Sequence, residues 1–247
     1  MVPRIRLVFD RRERKFPFSA DAWERLERCA ARYMPVECFD GENALNYIRT
    51  TYLDTPDLHS YREYVERKPI RTKVRIRQYG RNGQVNGVCW VEIKVKRQRK
   101  TAKRRFRCTP AKVSELIDGR DIREDVVAAN PDRPKAIRIY QAAREMILER
   151  RLRPVVRVDY ERLAFQHATE PESRITLDRA IRYRPAAGPA RAAHDGVILE
   201  AKHADTEPDW VREFLRELAL DKSSRFSKFA RAVQALGVNG STGKESA

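Results

Sequence analysis

The segment Arg71–Tyr79, RTKVRIRQY, places cations at Lys73, Arg75 and Arg77 and apolar residues at Val74 and Ile76. Side chains alternate between the two faces of a strand, so one face here is apolar and the other is a row of positive charge. The pattern recurs. WVEIKVK sets Glu92, Lys94 and Lys96 against Val91, Ile93 and Val95, and AKRRFRC carries Lys103 and Arg105 on one face. SRITLDR sets Arg174, Thr176 and Asp178 against Ile175 and Leu177; VILEAK sets Glu200 and Lys202 against Val197, Leu199 and Ala201; DYERLAF brings Tyr160 and Arg162 together. One such strand is commonly the wet side of an antiparallel sheet. Arg- and Lys-rich faces on most strands are less ordinary, because neighbouring like charges on a sheet repel. A sheet that collects them is expected to bind anions there.

Several classes of protein are excluded or disfavoured by the remaining sequence. Of 247 residues, 41% are hydrophobic, enough for a real core, while the net charge of +17 favours polyanionic partners. Cys29, Cys38, Cys89 and Cys108 make no CxxC pair, which argues against a zinc knuckle. No apolar run reaches the length of a membrane span, and MVPRIRLVFDRRERK lacks the apolar stretch of a signal peptide. A reducing, cytoplasmic setting without a membrane span is expected.

Eight strand candidates follow from period-two patterning: LVFDRRERKF, ALNYIRTTYLDT, TKVRIRQY, VCWVEIKVK, TAKRRFRC, RPVVRVDYERLAFQ, SRITLDRAIRY and GVILEAKH. GRNGQVNG reads as the loop of a hairpin. Helical spacing marks SADAWERLERCAARYM, with Ser19 as its N-cap, then PDLHSYREYVER, the stretch Thr109–Leu152, PDWVREFLREL and SRFSKFARAVQAL. Strands without a βαβα rhythm, with helices set apart, predict an α+β fold: an eight-stranded antiparallel β-barrel with flanking helices. Residues 1–237 are expected to form one domain and residues 238–247 a disordered tail.

An eight-stranded barrel has an interior just wide enough for side chains or one ligand. With the charged faces inward, the lumen receives Lys15, Lys73, Arg75, Arg77, Lys94, Lys96, Lys103, Arg105, Arg162, Arg174 and Lys202, together with Glu13, Glu92, Glu200 and Asp178. An unpaired buried charge costs several kcal/mol, roughly, even after relaxation. Seven excess cations would therefore exceed a typical domain's stability of about 5–15 kcal/mol. The lumen must be hydrated and filled by a multivalent anion, for which a linear phosphate chain is the right shape. Carboxylates beside phosphate make sense if they hold Mg²⁺ or Mn²⁺, which takes one or two carboxylates plus phosphate oxygens. Glu200, Glu13 and Glu92 are the metal-ligand candidates; the alternative for each is a simple pairing with a neighbouring lysine.

Nine short motifs then appear in order: ERK at Glu13, YLDT at Tyr52, KVRIRQY at Lys73, VEIKVK at Val91, AKRRF at Ala102, YERLAFQ at Tyr160, RITLD at Arg174, ILEAK at Ile198 and FSKF at Phe226. Over roughly Asp10 to Leu236 the chain resembles the VTC domain, the catalytic domain of the vacuolar transporter chaperone complex, within the triphosphate tunnel metalloenzymes. The resemblance implies a tunnel barrel and a Mn²⁺- or Mg²⁺-dependent polyphosphate polymerase, which moves the γ-phosphate of ATP onto a growing chain. It implies phosphate binding by Lys15, Arg75, Arg77, Lys94, Lys103, Arg162, Arg174 and Lys228, and a metal on Glu200. Lys73, Arg105 and Lys202 join the phosphate-binding set through their places on the same strand faces. Arg75, Arg77, Arg162, Arg174 and Glu200 are the candidate catalytic groups. Two departures stand out: Phe229 replaces a frequent Tyr, and Arg11 replaces the leading Glu of the superfamily's ExExK. The phosphate-sensing domain and membrane anchor of eukaryotic members have no counterpart among these residues.

The alternative on the same fold is an inorganic tripolyphosphatase or nucleoside triphosphatase, with water as acceptor and tripolyphosphate or ATP as substrate. A non-catalytic polyphosphate binder is a further reading. Nucleic acid is not the expected partner, because stacking aromatics are missing from the basic strands and the recurring glutamates would repel a phosphate backbone.

Overall fold

In the computed structural model, residues 7–35, 45–98, 100–167, 169–170 and 172–240 are described. Cys38 and residues 241–247 of the expected tail lie outside them. Among these residues nine strands run antiparallel: β1 (Val8–Phe18), β2 (Leu45–Asp54), β3 (Ile70–Arg81), β4 (Gln84–Arg97), β5 (Lys100–Cys108), β6 (Arg153–Gln166), β7 (Arg174–Pro185), β8 (Ala192–His194) and β9 (Val197–His203). They pair in the order β6-β2-β3-β4-β5-β1-β9-β7, and β6 also pairs with β7, which closes eight strands into a barrel. The three-residue β8, not foreseen from sequence, hangs on the outer part of β7 through Ile181–His194 and Tyr183–Ala192. At three residues it is too short to carry a legible alternation.

Seven α-helices flank the barrel among the described residues: α1 (Trp23–Tyr33), α2 (His59–Val65), α3 (Pro110–Ile117), α4 (Arg123–Ala129), α5 (Arg133–Glu149), α6 (Asp209–Glu217) and α7 (Lys228–Ala235). The helical stretch after Thr109 thus splits into three. Thr109 accepts from the Lys112 amide at the start of α3 and Asp132 from the Lys135 amide at the start of α5, each followed by a proline in the first turn. Ser19 does not cap α1 with its side chain. It precedes a short 3₁₀ turn, Ala20–Ala22, and α1 starts at Trp23.

The β3–β4 hairpin is tighter than the sequence reading anticipated. Both strands run to a two-residue turn at Asn82 and Gly83, with φ of 48° and 78°. Two consecutive positive φ values define the turn whose twist matches that of the flanking strands, and Asn-Gly is the pair that adopts it most readily. Just below, the register slips between Gln78 and Gly80. A Cβ on Gly80 would lie 1.8 Å from the carbonyl oxygen of Gln84, so only glycine fits this close backbone approach.

The alternation dictates where the cores lie. Outward residues of β3, β4 and β5, including Val74, Val91, Ile93 and Phe106, are buried under α3, α4 and α5 against Leu116, Val126, Ile139 and Tyr140. Phe165, Ile175, Leu177 and Leu199 pack outward against α1 and α6 through Leu26, Phe214 and Leu215. A third cluster seals one end of the barrel with Phe226, Phe229 and Val233 of the α7 region against Tyr52, Val158 and Tyr183. Around the first two clusters the apolar faces form the shell and the charged faces point inward; at the α7 end β2, β6 and β7 instead turn apolar residues such as Ile48, Val158 and Ile181 inward.

Candidate active site

The barrel encloses a cavity of about 1140 Å³. All eleven cations assigned to the lumen from sequence line it: Lys15, Lys73, Arg75, Arg77, Lys94, Lys96, Lys103, Arg105, Arg162, Arg174 and Lys202. Lys228 reaches it from the first residue of α7, where Ser227 caps the helix by accepting from the Ala230 amide. Arg11, Arg71, Arg81 and Arg225, which the sequence reading left out, line it too. Arg71 and Arg81 share the period-two face of β3 with Lys73, Arg75 and Arg77, and that periodicity could have found them. Arg225 lies in an irregular segment and gave no such signal.

The four acidic residues part into two environments. Glu13 and Glu200 line the cavity; Glu92 and Asp178 lie behind its wall, each with no exposed surface. Glu92 is bound by Arg75 through Nε at 2.8 Å and Nη2 at 2.7 Å, with Lys103 at 3.2 Å and Arg105 at 3.7 Å. Burial alone would push its pKa up, but Lys103, Arg75, Arg77 and Arg105 hold it well below the usual carboxylate range. Asp178 accepts from Arg162 Nε at 2.5 Å and Nη2 at 2.7 Å, and from Lys228 Nζ. These two carboxylates act as anchors that aim guanidinium and ammonium groups at the lumen.

Glu200 meets Lys202 at 2.7 Å, Lys15 at 3.1 Å, Lys228 at 3.3 Å and Arg162 at 3.6 Å. Register explains the cluster: Lys15 faces Glu200 and Glu13 faces Lys202 across β1 and β9, a checkerboard of opposite charges. Glu13 also accepts from Lys94 Nζ at 2.7 Å. Burial raises the pKa of both glutamates, and the surrounding lysines more than reverse this, so both remain ionised. The same register puts them two residue pairs apart on adjacent strands, on one patch of wall, where their charges oppose each other.

The lysines feel the opposite pressure. Burial lowers the pKa of Lys73, reinforced by Lys94, Lys15 and the neighbouring arginines; burial and Arg105 lower that of Lys103 against the pull of Glu92. Lys202 is lowered to about 7, by burial first, in spite of Glu200. Lys73 donates to the Ser227 hydroxyl, at 3.0 Å, and lies over the Tyr64 and Phe229 rings, while Arg77 donates to the Thr50 hydroxyl, at 3.3 Å; neither meets a carboxylate among the described residues. Tyr52 and Tyr160 also line the wall, and Arg75 and Arg77 draw the Tyr52 phenol below its ordinary pKa despite burial. The result is a cavity whose lining carries an excess of positive charge.

Metal fit can be judged from the donor set. No group of three or more His, Cys, Asp or Glu among the described residues is arranged to hold an ion. Two ionised carboxylates on one patch, Glu13 and Glu200, suit a hard divalent cation that takes its other ligands from water and phosphate oxygens. Glu92, the third candidate from sequence, lies on β4, behind the wall and in contact with Arg75, Lys103 and Arg105.

Comparison with known proteins matches this description. Residues 10–237 match the family model described as the VTC domain. The chain is 25% identical over 229 residues to vacuolar transporter chaperone complex subunit 4 of Schizosaccharomyces pombe, covering 76% of this chain and 32% of that protein. It is 26% identical over 190 residues to subunit 2 of the same complex, covering 69% of this chain and 25% of that protein. It thus spans a third or less of the length of these relatives. Among solved structures, a putative adenylate cyclase from Bacillus halodurans superposes with a TM-score of 0.53 at 12% identity, over 92% of this chain and 98% of that one. A putative adenylyl cyclase from Hippeastrum, described as having a dominant triphosphatase activity, superposes with a TM-score of 0.51 at 15% identity, over 91% and 95%. These two likenesses establish the shared barrel. With the match running through all eight barrel strands, the chain belongs to the VTC domain family.

Proposed function

We propose that the chain is a metal-dependent polyphosphate polymerase that transfers the γ-phosphate of ATP to a polyphosphate chain held in the barrel. The observation that carries this reading is the length of the cationic lining. On β3 alone it extends from Arg71 to Arg81, about 33 Å along the strand, so the charge continues well past one triphosphate. The charges also face inward, out of reach of a duplex, which favours a thin flexible polyanion over nucleic acid.

Phosphoryl transfer asks a protein chiefly for positioning and charge neutralisation. Arg75, Arg77, Arg162 and Arg174 clamp the triphosphate, since a planar guanidinium meets phosphate oxygens two at a time. Glu92 and Asp178 hold Arg75 and Arg162 in place, so little conformational entropy is lost when phosphate arrives. Lys15, Lys94, Lys103, Lys202 and Lys228, with Lys73 and Arg105, line the path of the chain. Glu13 and Glu200 would hold Mn²⁺ or Mg²⁺, which when bound polarises phosphate oxygens and offsets developing charge. The buried thiols Cys29, Cys89 and Cys108 suit a reducing, cytoplasmic setting, and no helix among the described residues is long and apolar enough to cross a membrane.

The second reading is triphosphate hydrolysis, with water as acceptor, in line with the activity described for the Hippeastrum neighbour. Incubation with ATP and Mn²⁺ or Mg²⁺, resolved on a gel, separates the two. A ladder of long phosphate chains supports the polymerase; orthophosphate alone with no ladder refutes it and leaves the hydrolase.

A further inference from the structure

A second concentration of arginine lies on the outside of the barrel, across β2, β6 and β7. In register, Arg49 faces Asp159 and Asp159 faces Arg182, while one step along, Arg157 faces Arg184 directly. Lumen residues on these strands, such as Tyr160, Arg162 and Asn46, have the opposite parity, so this group points away from the cavity. The slip between Asp159 and Glu161, at Ala180 with its φ of 49°, keeps Ile181 and Tyr183 inward and turns Arg182 and Arg184 out.

One buried carboxylate organises the group. Asp159 accepts from Arg49 Nε at 3.2 Å and from Arg184 Nε at 2.5 Å, and Arg157 Nε stands 3.9 Å away. Asp159 contacts Arg49 and Arg184 at Nε, and these two side chains keep 27% and 20% of their surface exposed. Arg157 Nε is itself enclosed and finds no hydrogen-bond acceptor; its Nη2 reaches the Gly188 carbonyl at 3.2 Å. Burial and the neighbouring Arg49 and Arg184 lower the Arg157 pKa against the pull of Asp159. Arg182 is exposed. Four arginines thus surround one aspartate, an excess of three positive charges, whereas Glu161 beside them is already paired with Arg179 at 2.9 Å. A sheet wall that needed only stability would not set Arg157 opposite Arg184, because like charges facing each other across strands are unfavourable.

We propose that this outer wall is a second anion site, which takes a phosphate-bearing group on the forks of Arg49, Arg157, Arg182 and Arg184, independently of what the lumen does. The chemistry is that of a clustered phosphate: a free oligophosphate or a phosphorylated lipid headgroup supplies the same oxygens. The test compares the full chain with Arg49→Gln/Arg184→Gln in two arms. Calorimetric titration with tripolyphosphate reads the free anion; co-sedimentation with phosphatidylcholine vesicles containing a phosphatidylinositol bisphosphate reads the lipid. The double variant is expected to lose one class of sites, or at least about tenfold in affinity, in one arm, with nucleotide turnover unchanged. Loss in the tripolyphosphate arm assigns the site to free oligophosphate, and loss in the vesicle arm to a headgroup. Binding equal to the parent in both arms overturns the proposal. Arg182→Gln, which disturbs no bond to Asp159, decides the matter if the double variant does not fold: about threefold weaker binding in either arm supports the site, and parental binding in both refutes it.

Discussion

Glu92 on β4 and Glu200 on β9 stand three strands apart in the barrel, both ionised and both ringed by cations, yet their surroundings differ in kind. Glu92 has no exposed surface, and Arg75, Lys103 and Arg105 close over it. Glu200 keeps 5% of its surface, lines the cavity and has a second carboxylate, Glu13, on the same patch. The first arrangement spends a negative charge to aim positive ones; the second leaves carboxylate oxygens within reach of a ligand. Identical residue types on strands of identical pattern can therefore be a scaffold in one place and a reactive group in another, and depth below the lumen surface makes the difference.

The sharpest way to break this comparison is Glu200→Gln. Loss of a metal-holding oxygen is expected to lower metal-dependent turnover about 10³-fold, equivalent to about 4 kcal/mol, with polyphosphate binding retained. Steady-state rates across a Mn²⁺ titration, paired with equilibrium binding, read both; parental turnover would remove Glu200 from the chemistry. Glu92→Gln should act on folding instead. It leaves Arg75, Lys103 and Arg105 without their buried counter-charge and is expected to destabilise the empty protein by about 3–5 kcal/mol, much of it recovered when tripolyphosphate is added. Denaturant melts with and without the anion measure this, and an unaltered midpoint would mean that Glu92 anchors nothing.

A third expectation concerns pH and sharpens the picture of the lumen as a whole. Lys202 titrates at about 7 in the folded protein, and Lys73 and Lys103 are lowered well below 10.5. The unfolded chain keeps these lysines protonated up to about pH 10. Between about pH 7 and 8, below the range where the thiols of the unfolded chain ionise and the raised Cys89 and Cys108 begin to oppose the trend, the unfolded state binds more protons through Lys202, so the stability of the empty protein rises with pH. The full slope is about 1.4 kcal/mol per pH unit for each lysine titrating. Affinity for tripolyphosphate falls over the same range, and binding takes up protons. Thermal melts at stepped pH, and calorimetry in buffers of different ionisation enthalpy, test both; a stability that declines over this window would contradict the assignment. The smallest effect is expected from Ser227→Ala, which removes the α7 cap and the hydroxyl that Lys73 donates to, at a cost of about 1 kcal/mol with turnover little changed.

Much of this was legible in the chain because strand periodicity is a strict period of two. Once Val74 and Ile76 are assigned to the shell, Lys73, Arg75 and Arg77 have only the lumen to face. Glycine and asparagine marked the β3–β4 turn, although its tightness followed from backbone closure at Gly80 and not from composition. Lys228 illustrates the limit. It lies on a helix, where no alternation points to the barrel, and only the family motif nominated it; the structure brings it to Asp178 and Glu200.

The sequence by itself determined which faces are charged, because apolar burial leaves each strand one orientation that hides its Val, Ile and Phe. It also determined the formal excess of cations over carboxylates on those faces, because residue types are fixed whatever the topology. Only the tertiary structure decided how the acids divide. Register across β1 and β9 sets Lys15 against Glu200, and closure of the barrel brings Arg75, Lys103 and Arg105 over Glu92. Those pairings join residues far apart in the chain, and their depth below the surface is a property of the closed barrel that no local pattern encodes.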